Sequence, residues 1–181
     1  MATFTNFATL SYNGTTTNSN VVTGEIVEAL SATKTALNES YEQNGKVTYI
    51  VTLTNTSALP LSSLTITDNL GGYTFNGNTV YPLSFDEDSI RFFIDGVLQP
   101  TPAVMSGPPM VISGVNVPAN SDAVIVYAAD VTEFAPLADA SQITNTVTVT
   151  GASLTAPVTA QETVTAADSP ALSITKSLSP S

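Results

Sequence analysis

The chain of 181 residues contains no cysteine and no histidine. The first absence excludes disulfides and thiolate metal sites, and the second excludes imidazole ligands and the commonest general base. Catalysis would then need paired carboxylates or a serine and lysine pair, and the sequence shows no such arrangement in a pocket-forming segment. We therefore expect that the protein is not an enzyme and that it carries no cofactor.

Positive charge is also scarce, because four lysine and arginine residues stand against 15 acidic ones and the net charge is -11. Such a surface cannot neutralise phosphates, which argues against nucleic acid or anionic lipid as a ligand. No run of 18 apolar residues is present, so we expect no membrane insertion. Residues 1–6 show neither the basic nor the apolar region of a secretory signal, and no signal peptide is visible.

Only 10% of the residues are charged, and threonine and serine fill most polar positions. Apolar residues and threonines alternate over residues 46–54, which indicates a strand with one buried face. Residues 123–129 are nearly all apolar and predict a strand buried on both faces, whereas only residues 134–141 could form a helical turn. Asp95-Gly96 inside residues 92–98 is the strongest hairpin signal. The pattern predicts an all-β fold, an immunoglobulin-like β-sandwich with N- and C-terminal strand extensions.

Two segments of the chain occur twice. Residues 171–176 read ALSITK and repeat ALSATK at residues 29–34, and FTNFATL at residues 4–10 is echoed by ITNTVTV at residues 143–149. The chain therefore opens with a copy of a domain end and closes with a copy of a domain start.

The repeats predict three parts: an N-terminal extension over residues 1–28, a complete sandwich over residues 29–166, and a C-terminal donor-strand tail over residues 167–181. A fragment of a sandwich cannot bury its own apolar face. The simplest partner for each broken end is the other end on a neighbouring copy.

One stretch of the complete unit resembles a known repeat module. KVTYIVTLTNT at residues 46–56, LTITD at residues 64–68, the preceding ALSxTK strand and the late ITNTV segment together are similar to the domain of unknown function 11. The resemblance implies an immunoglobulin-like module of the kind strung in tandem on bacterial and archaeal surface proteins, with a structural or adhesive role. Here a single module stands between two partial copies, which favours assembly from separate subunits.

We therefore predict a structural subunit of an extracellular, cell-surface or spore-surface filament that polymerises head to tail with copies of itself by β-strand donation. A surface anchor protein is a possible further partner. The predicted donor residues are Ala171, Leu172, Ile174 and Lys176. The predicted acceptor residues are Phe4, Phe7, Ala8, Leu10 and Tyr12. The alternatives are an adhesive module that binds through its proline-rich middle and the 92–98 hairpin, a fragment of a longer tandem protein, and a self-contained monomer.

Lys34, Asn145 and Asp68 suggest a second hypothesis, an amide crosslink within the chain. That reaction needs a desolvated amine, a side-chain amide and a carboxyl group packed among apolar residues. Lys176 and Asn6 duplicate two of the three groups, so a bond between subunits is a variant of the same idea. The simpler interpretation is an asparagine that hydrogen-bonds within the core and a lysine that faces water.

The acidic run Asp86, Glu87 and Asp88 has oxygen ligands of the type that Ca²⁺ prefers. A solvated acidic turn accounts for the same residues, and no EF-hand spacing accompanies them. We expect no metal site there.

Overall fold

In the computed structural model, residues 2–26 and 29–167 are described, and those ranges hold strands and turns without a helix. The first nine strands are β1 (Ala2–Asn6), β2 (Thr9–Tyr12), β3 (Thr15–Asn18), β4 (Val22–Ile26), β5 (Leu30–Ala36), β6 (Ser40–Tyr41), β7 (Lys46–Asn55), β8 (Leu61–Asp68) and β9 (Tyr73–Phe75). The remaining nine are β10 (Asn78–Val80), β11 (Leu83–Phe85), β12 (Arg91–Ile94), β13 (Val97–Gln99), β14 (Ala103–Met105), β15 (Met110–Val117), β16 (Ser121–Val131), β17 (Gln142–Thr150) and β18 (Val158–Ala166).

Two six-stranded sheets form the predicted immunoglobulin-like β-sandwich. The first sheet has the order β13-β12-β16-β7-β5, with β11 also paired to β16, and the second has the order β14-β15-β8-β17-β18-β6. All pairings are antiparallel except the short one between β18 and β6. β5 lies at an edge of the first sheet and packs across the sandwich against β18. The strand that begins the sandwich therefore faces the strand that ends it.

Alternation along β7 decides which of its residues enter the core. Val47, Tyr49, Val51 and Leu53 are buried, and Thr48, Thr52 and Thr54 on the other face are only partly buried. Side chains on a strand point to opposite faces in turn, so this face must meet the second sheet. The predicted one-faced strand is confirmed.

Two local predictions are wrong. Within residues 123–129, four residues are fully buried but Val124, Val126 and Ala128 are partly exposed, because β16 packs against the second sheet through one face only. Residues 134–141 contain turns and bends rather than a helical turn. The predicted hairpin is present, since β12 and β13 pair and Asp95 and Gly96 have positive φ angles of 46° and 78°.

The N-terminal residues form a hairpin of their own, in which β1 pairs with β4 and β2 pairs with β3. It turns at Asn13 and Gly14, whose φ angles are 47° and 79°. The part of the chain that the structure describes contains no helix long and apolar enough to cross a membrane.

Candidate functional site

A cluster of polar side chains lies in the core between the two sheets. Lys34 comes from β5, Asp68 from the end of β8 and Asn145 from β17, so both sheets contribute. Lys34 is 4% exposed, and both Asp68 and Asn145 are fully buried. The structure thus brings together the three residues of the crosslink hypothesis. It adds a fourth, the buried Tyr127 of β16.

The hydroxyl of Tyr127 contacts all three other members. Lys34 Nζ donates to Asp68 Oδ2 at 2.5 Å and to the Tyr127 hydroxyl oxygen at 2.7 Å. The Tyr127 hydroxyl donates in turn to Asp68 Oδ2, and Asn145 Nδ2 lies 3.4 Å from the same hydroxyl oxygen. The amine and the amide therefore share one neighbour.

Strand alternation explains why polar groups meet in an apolar interior. Lys34 follows Leu30 and Ala32 on the inward face of β5, and Asn145 lies between the buried Ile143 and Val147 of β17. Asp68 ends β8, where its Oδ1 also accepts a hydrogen bond from the backbone N–H of Leu70 at 2.8 Å. The remaining carboxylate oxygen is free to face the lysine.

Burial controls the charge on this lysine. Desolvation lowers the pKa of Lys34 below its ordinary value, against the attraction of Asp68. The ammonium also lies over the ring of Tyr49, 4.6 Å from its centroid. Desolvation raises the pKa of Tyr49 and of Tyr127, so both phenols stay protonated at neutral pH. Burial thus makes the Lys34 ammonium easier to deprotonate than an exposed lysine.

The two buried asparagines of the sandwich differ in how their amides are satisfied. Asn55 donates to the carbonyl oxygens of Leu59, Val117 and Pro118, and its own Oδ1 accepts from Ser57. Asn145 makes one hydrogen bond, from its Nδ2 to the Tyr127 hydroxyl, and its Oδ1 has no hydrogen-bond partner among the described residues. A buried unsatisfied amide oxygen costs about 1–3 kcal/mol. Hydrogen bonding within the core therefore does not explain why an asparagine is buried at position 145.

Sequence reasoning missed Tyr127. A signal was present, because the alternation of residues 123–129 places Tyr127 on the same face as Ile125 and Ala129. β7 and β16 then set Tyr49 directly opposite Tyr127, with ring centroids 5.6 Å apart. A tyrosine on a buried face needs a polar partner, which the lysine and the aspartate supply.

A lysine contacts the first residue of the acidic run 86–88. Asp86 and Asp130 both contact Lys46 Nζ, the second at 3.2 Å, on the exposed side of the sandwich. The ion pair with Lys46 lowers the pKa of Asp86. Among the described residues no group of three potential metal ligands occurs, and Glu87 and Asp88 take no part in one.

The predicted acceptor residues lie on the N-terminal hairpin. Phe4, Phe7, Leu10 and Tyr12 each expose more than half of their surface, and Ala8 is also exposed. The predicted donors Ala171, Leu172, Ile174 and Lys176 lie outside the described residues.

No protein-family model and no curated protein matches the sequence. Solved structures share its fold at low identity. The major pilin SpaD of Corynebacterium diphtheriae is 11% identical with a TM-score of 0.54, over 74% of this chain and 34% of that one. BcpA, the major pilin subunit of Bacillus cereus, is 13% identical with a TM-score of 0.52, over 90% of this chain and 48% of that one. The N-terminal domain of the Streptococcus gordonii adhesin Sgo0707 is 17% identical with a TM-score of 0.51, over 81% and 34% of the two chains.

The matched region is less than half the length of each of these three chains. At such identities the likeness concerns the fold, which is that of pilin and adhesin β-sandwich domains.

Proposed function

We propose that the chain is a structural subunit of an extracellular or spore-surface filament, assembled head to tail by strand donation between copies. The observation that carries this proposal is the N-terminal hairpin, which exposes aromatic and aliphatic side chains at Phe4, Phe7, Leu10 and Tyr12. An isolated two-stranded hairpin is marginally stable in water and gains stability from a partner. A contact between different ends of identical subunits does not close by default, so it produces an open filament.

Other observations support the same proposal. The fold is shared with domains of proteins named as pilins and adhesins. The resemblance to the domain of unknown function 11 belongs to the same proposal, as does attachment to a surface through an anchor protein.

The test of assembly is deletion of residues 168–181. We expect the shortened chain to fold as a monomer, while the full chain forms regular fibres in negative-stain micrographs. A variant without residues 2–26 should fail in the same way, because it lacks the other half of the contact. Fibres that survive the first deletion would contradict strand donation by the tail.

We also propose that Lys34 and Asn145 form an amide bond inside each subunit. Lys34 transfers a proton to Asp68 Oδ2, and its neutral Nζ attacks Cγ of Asn145. The Nζ–Cγ bond forms and the Cγ–Nδ2 bond breaks. Asp68 gives the proton that it took from Lys34 to Nδ2, which leaves as ammonia, and then accepts the second proton that Nζ loses. Asp68 acts as the proton carrier, and Tyr127 positions the amine against the amide.

Intact mass spectrometry tests the bond directly. We expect the purified protein to weigh less than its sequence by the mass of one ammonia, and we expect the Lys34→Ala and Asn145→Ala variants to show their full masses. Asn55→Ala is the matched control, because it removes a buried asparagine whose amide is already satisfied and should keep the mass deficit. A wild-type chain at full mass would exclude the bond while leaving the filament proposal intact.

A second candidate function, an adhesive module, has one observation in its favour. A cleft of about 380 Å³ lies beside the proline-rich middle and is lined by Phe92, Ile94, Gln99, Pro100, Pro102, Gly114, Asn116 and Pro118. Val97 and Leu98 at the nearby hairpin are exposed, whereas Phe92 is buried. An adhesin would lose ligand binding when these loops are altered and would be unaffected by deletion of the tail.

A further inference from the structure

The N-terminal hairpin resembles the β17–β18 hairpin in sequence and in its antiparallel pairing, although the two registers differ. In the sandwich Ile143 of β17 stands opposite Val164 of β18. In the N-terminal hairpin Phe4, the counterpart of Ile143 in the sequence echo, stands opposite Gly24. The segments that follow β18 and β4 in the sequence also contain the same ALSxTK motif.

The next pair on the same face lies two residues further along each strand. Asn145 stands opposite Glu162, and Asn6, its counterpart, stands opposite Val22. The echo extends beyond β1 to the returning strand β4, because Val22-Thr23-Gly24 matches Val164-Thr165-Ala166 at the offset that relates the two ALSxTK motifs. The N-terminal hairpin is thus a second copy of the β17–β18 hairpin rather than a copy of one strand.

The two copies differ in what covers them. β5 lies across β17 and β18 and turns Leu30, Ala32 and Lys34 toward them. The equivalent face of the N-terminal hairpin is exposed at Phe4, Asn6 and Val22. Its opposite face carries Thr5 and Thr23, which are suited to water. No strand among the described residues covers this apolar face.

The sequence contains a second copy of the motif that begins β5. Residue 167 comes directly after β18, and 14 further residues follow it in the sequence. Among them residues 171–176 repeat the first part of β5, with Leu172, Ile174 and Lys176 at the positions of its inward residues. Eleven to fourteen extended residues reach about 35–45 Å, which is enough to leave one sandwich and cross a hairpin on another.

We infer that residues 171–176 of one copy lie across the Phe4, Asn6 and Val22 face of the N-terminal hairpin of a second copy, as β5 lies across β17 and β18. This inference rests on the proposed filament and defines its joint. The contact is made face to face between side chains, because β5 and β17 belong to different sheets and share no ladder. It brings Lys176 close to Asn6, as Lys34 and Asn145 both contact the Tyr127 hydroxyl.

Because the chain contains no cysteine, introduced cysteines would be its only thiols in a crosslinking test. We would introduce Asn6→Cys and Lys176→Cys into one chain, assemble it, and add a short bis-maleimide that spans the roughly 10 Å between packed sheets. The expected result is a ladder of covalent dimers, trimers and larger species on a denaturing gel. In the matched control, Thr5→Cys with Lys176→Cys, the thiol points to the other face and the ladder should be at least tenfold weaker.

A mixture of the two single-cysteine proteins should give dimers only, since each copy then carries one reactive end. Negative-stain microscopy of the same samples separates the two proposals. Fibres without the Asn6–Lys176 product would overturn this joint and leave the filament standing. A crosslinked monomer would overturn it too, because the tail would then cover its own hairpin. A sample that forms neither fibres nor crosslinks at any concentration would overturn both proposals.

Discussion

The β17–β18 hairpin and the N-terminal hairpin are similar in sequence and are both antiparallel, but the first is buried in the sandwich and the second is exposed. Both alternate apolar and threonine-rich faces, so their own sequences do not explain the difference. What differs is the neighbour, because β5 covers β17 and β18. The comparison teaches that such a hairpin presents an apolar face, which in the sandwich is covered by the ALSxTK strand β5 of the opposite sheet.

The two hairpins also differ in the chemistry around their asparagine. Asn145 shares its pocket with Lys34, Tyr127 and Asp68, and the aspartate belongs to β8. Neither terminal segment repeats the sequence of β8. A tail strand on the N-terminal hairpin would therefore supply the lysine without the acid, and we expect the joint between copies to be non-covalent.

The largest effect should come from breaking the covered hairpin at Asp68. Asp68→Ala leaves the Lys34 ammonium buried without its counter-charge, which costs about 3–5 kcal/mol, and it also removes the proton carrier for the crosslink. We expect a full-mass protein with a strongly reduced denaturation midpoint. The double variant Lys34→Met with Asp68→Leu is the control, since apolar replacements should restore the stability lost through the unpaired charge but neither the contribution of the crosslink nor the mass deficit. Equal loss in both variants would mean that the charge pair is not the cause.

Asn145→Ala should have the next largest effect, because it removes the proposed bond between β5 and β17. A crosslink that closes a loop of about 110 residues contributes roughly 4–5 kcal/mol by restricting the unfolded chain, if it behaves as a disulfide does. Asn55→Ala should cost only about 1–3 kcal/mol through lost hydrogen bonds and should keep the crosslink. Chemical denaturation together with intact mass measures both. Similar losses with no mass difference would show that the two asparagines play the same role.

Exchanging residues between the hairpins should sharpen the comparison further. Val164→Gly empties a core position in the covered hairpin and should cost about 2–4 kcal/mol of the free energy of unfolding. Gly24→Val in the exposed hairpin should leave that quantity unchanged, yet a side chain there would meet the Phe4 ring, with Cβ only 2.5 Å from its Cζ. Sedimentation should then show shorter assemblies. Unimpaired assembly of Gly24→Val would argue that this face is not part of the joint.

The smallest effect is a pH dependence in the uncrosslinked Asn145→Ala background. Because the pKa of Lys34 is lower in the folded chain, the unfolded chain binds more protons, and the free energy of unfolding rises with pH. The rise should extend from the lowered lysine pKa to near 10.0, the ordinary tyrosine value, above which the raised pKa of Tyr127 and Tyr49 acts in the opposite sense. Adding Lys34→Met should flatten the curve. An unchanged slope would show that Lys34 keeps its charge on folding.

Much of the sandwich could be predicted from alternation, as in β7, where every second residue is buried. The pairing of Lys34, Asp68 and Asn145 was a hypothesis that the structure places in one cluster, while the crosslink itself stays a prediction. Tyr127 could not be assigned from spacing, because its hydroxyl meets the lysine only through the strand order β16-β7-β5. The return of β4 onto β1 was missed for a similar reason, since long-range register does not follow from local composition.

The position of the proposed amide between Lys34 and Asn145 would decide how a pulling force crosses the subunit. Lys34 lies five residues into the described sandwich, which starts at residue 29, and Asn145 belongs to the penultimate strand. Tension entering through the N-terminal hairpin would reach Lys34 and pass through a covalent amide directly to β17. The strands between them, which hold most of the core, would carry no strain and would not unravel when the fibre is stretched.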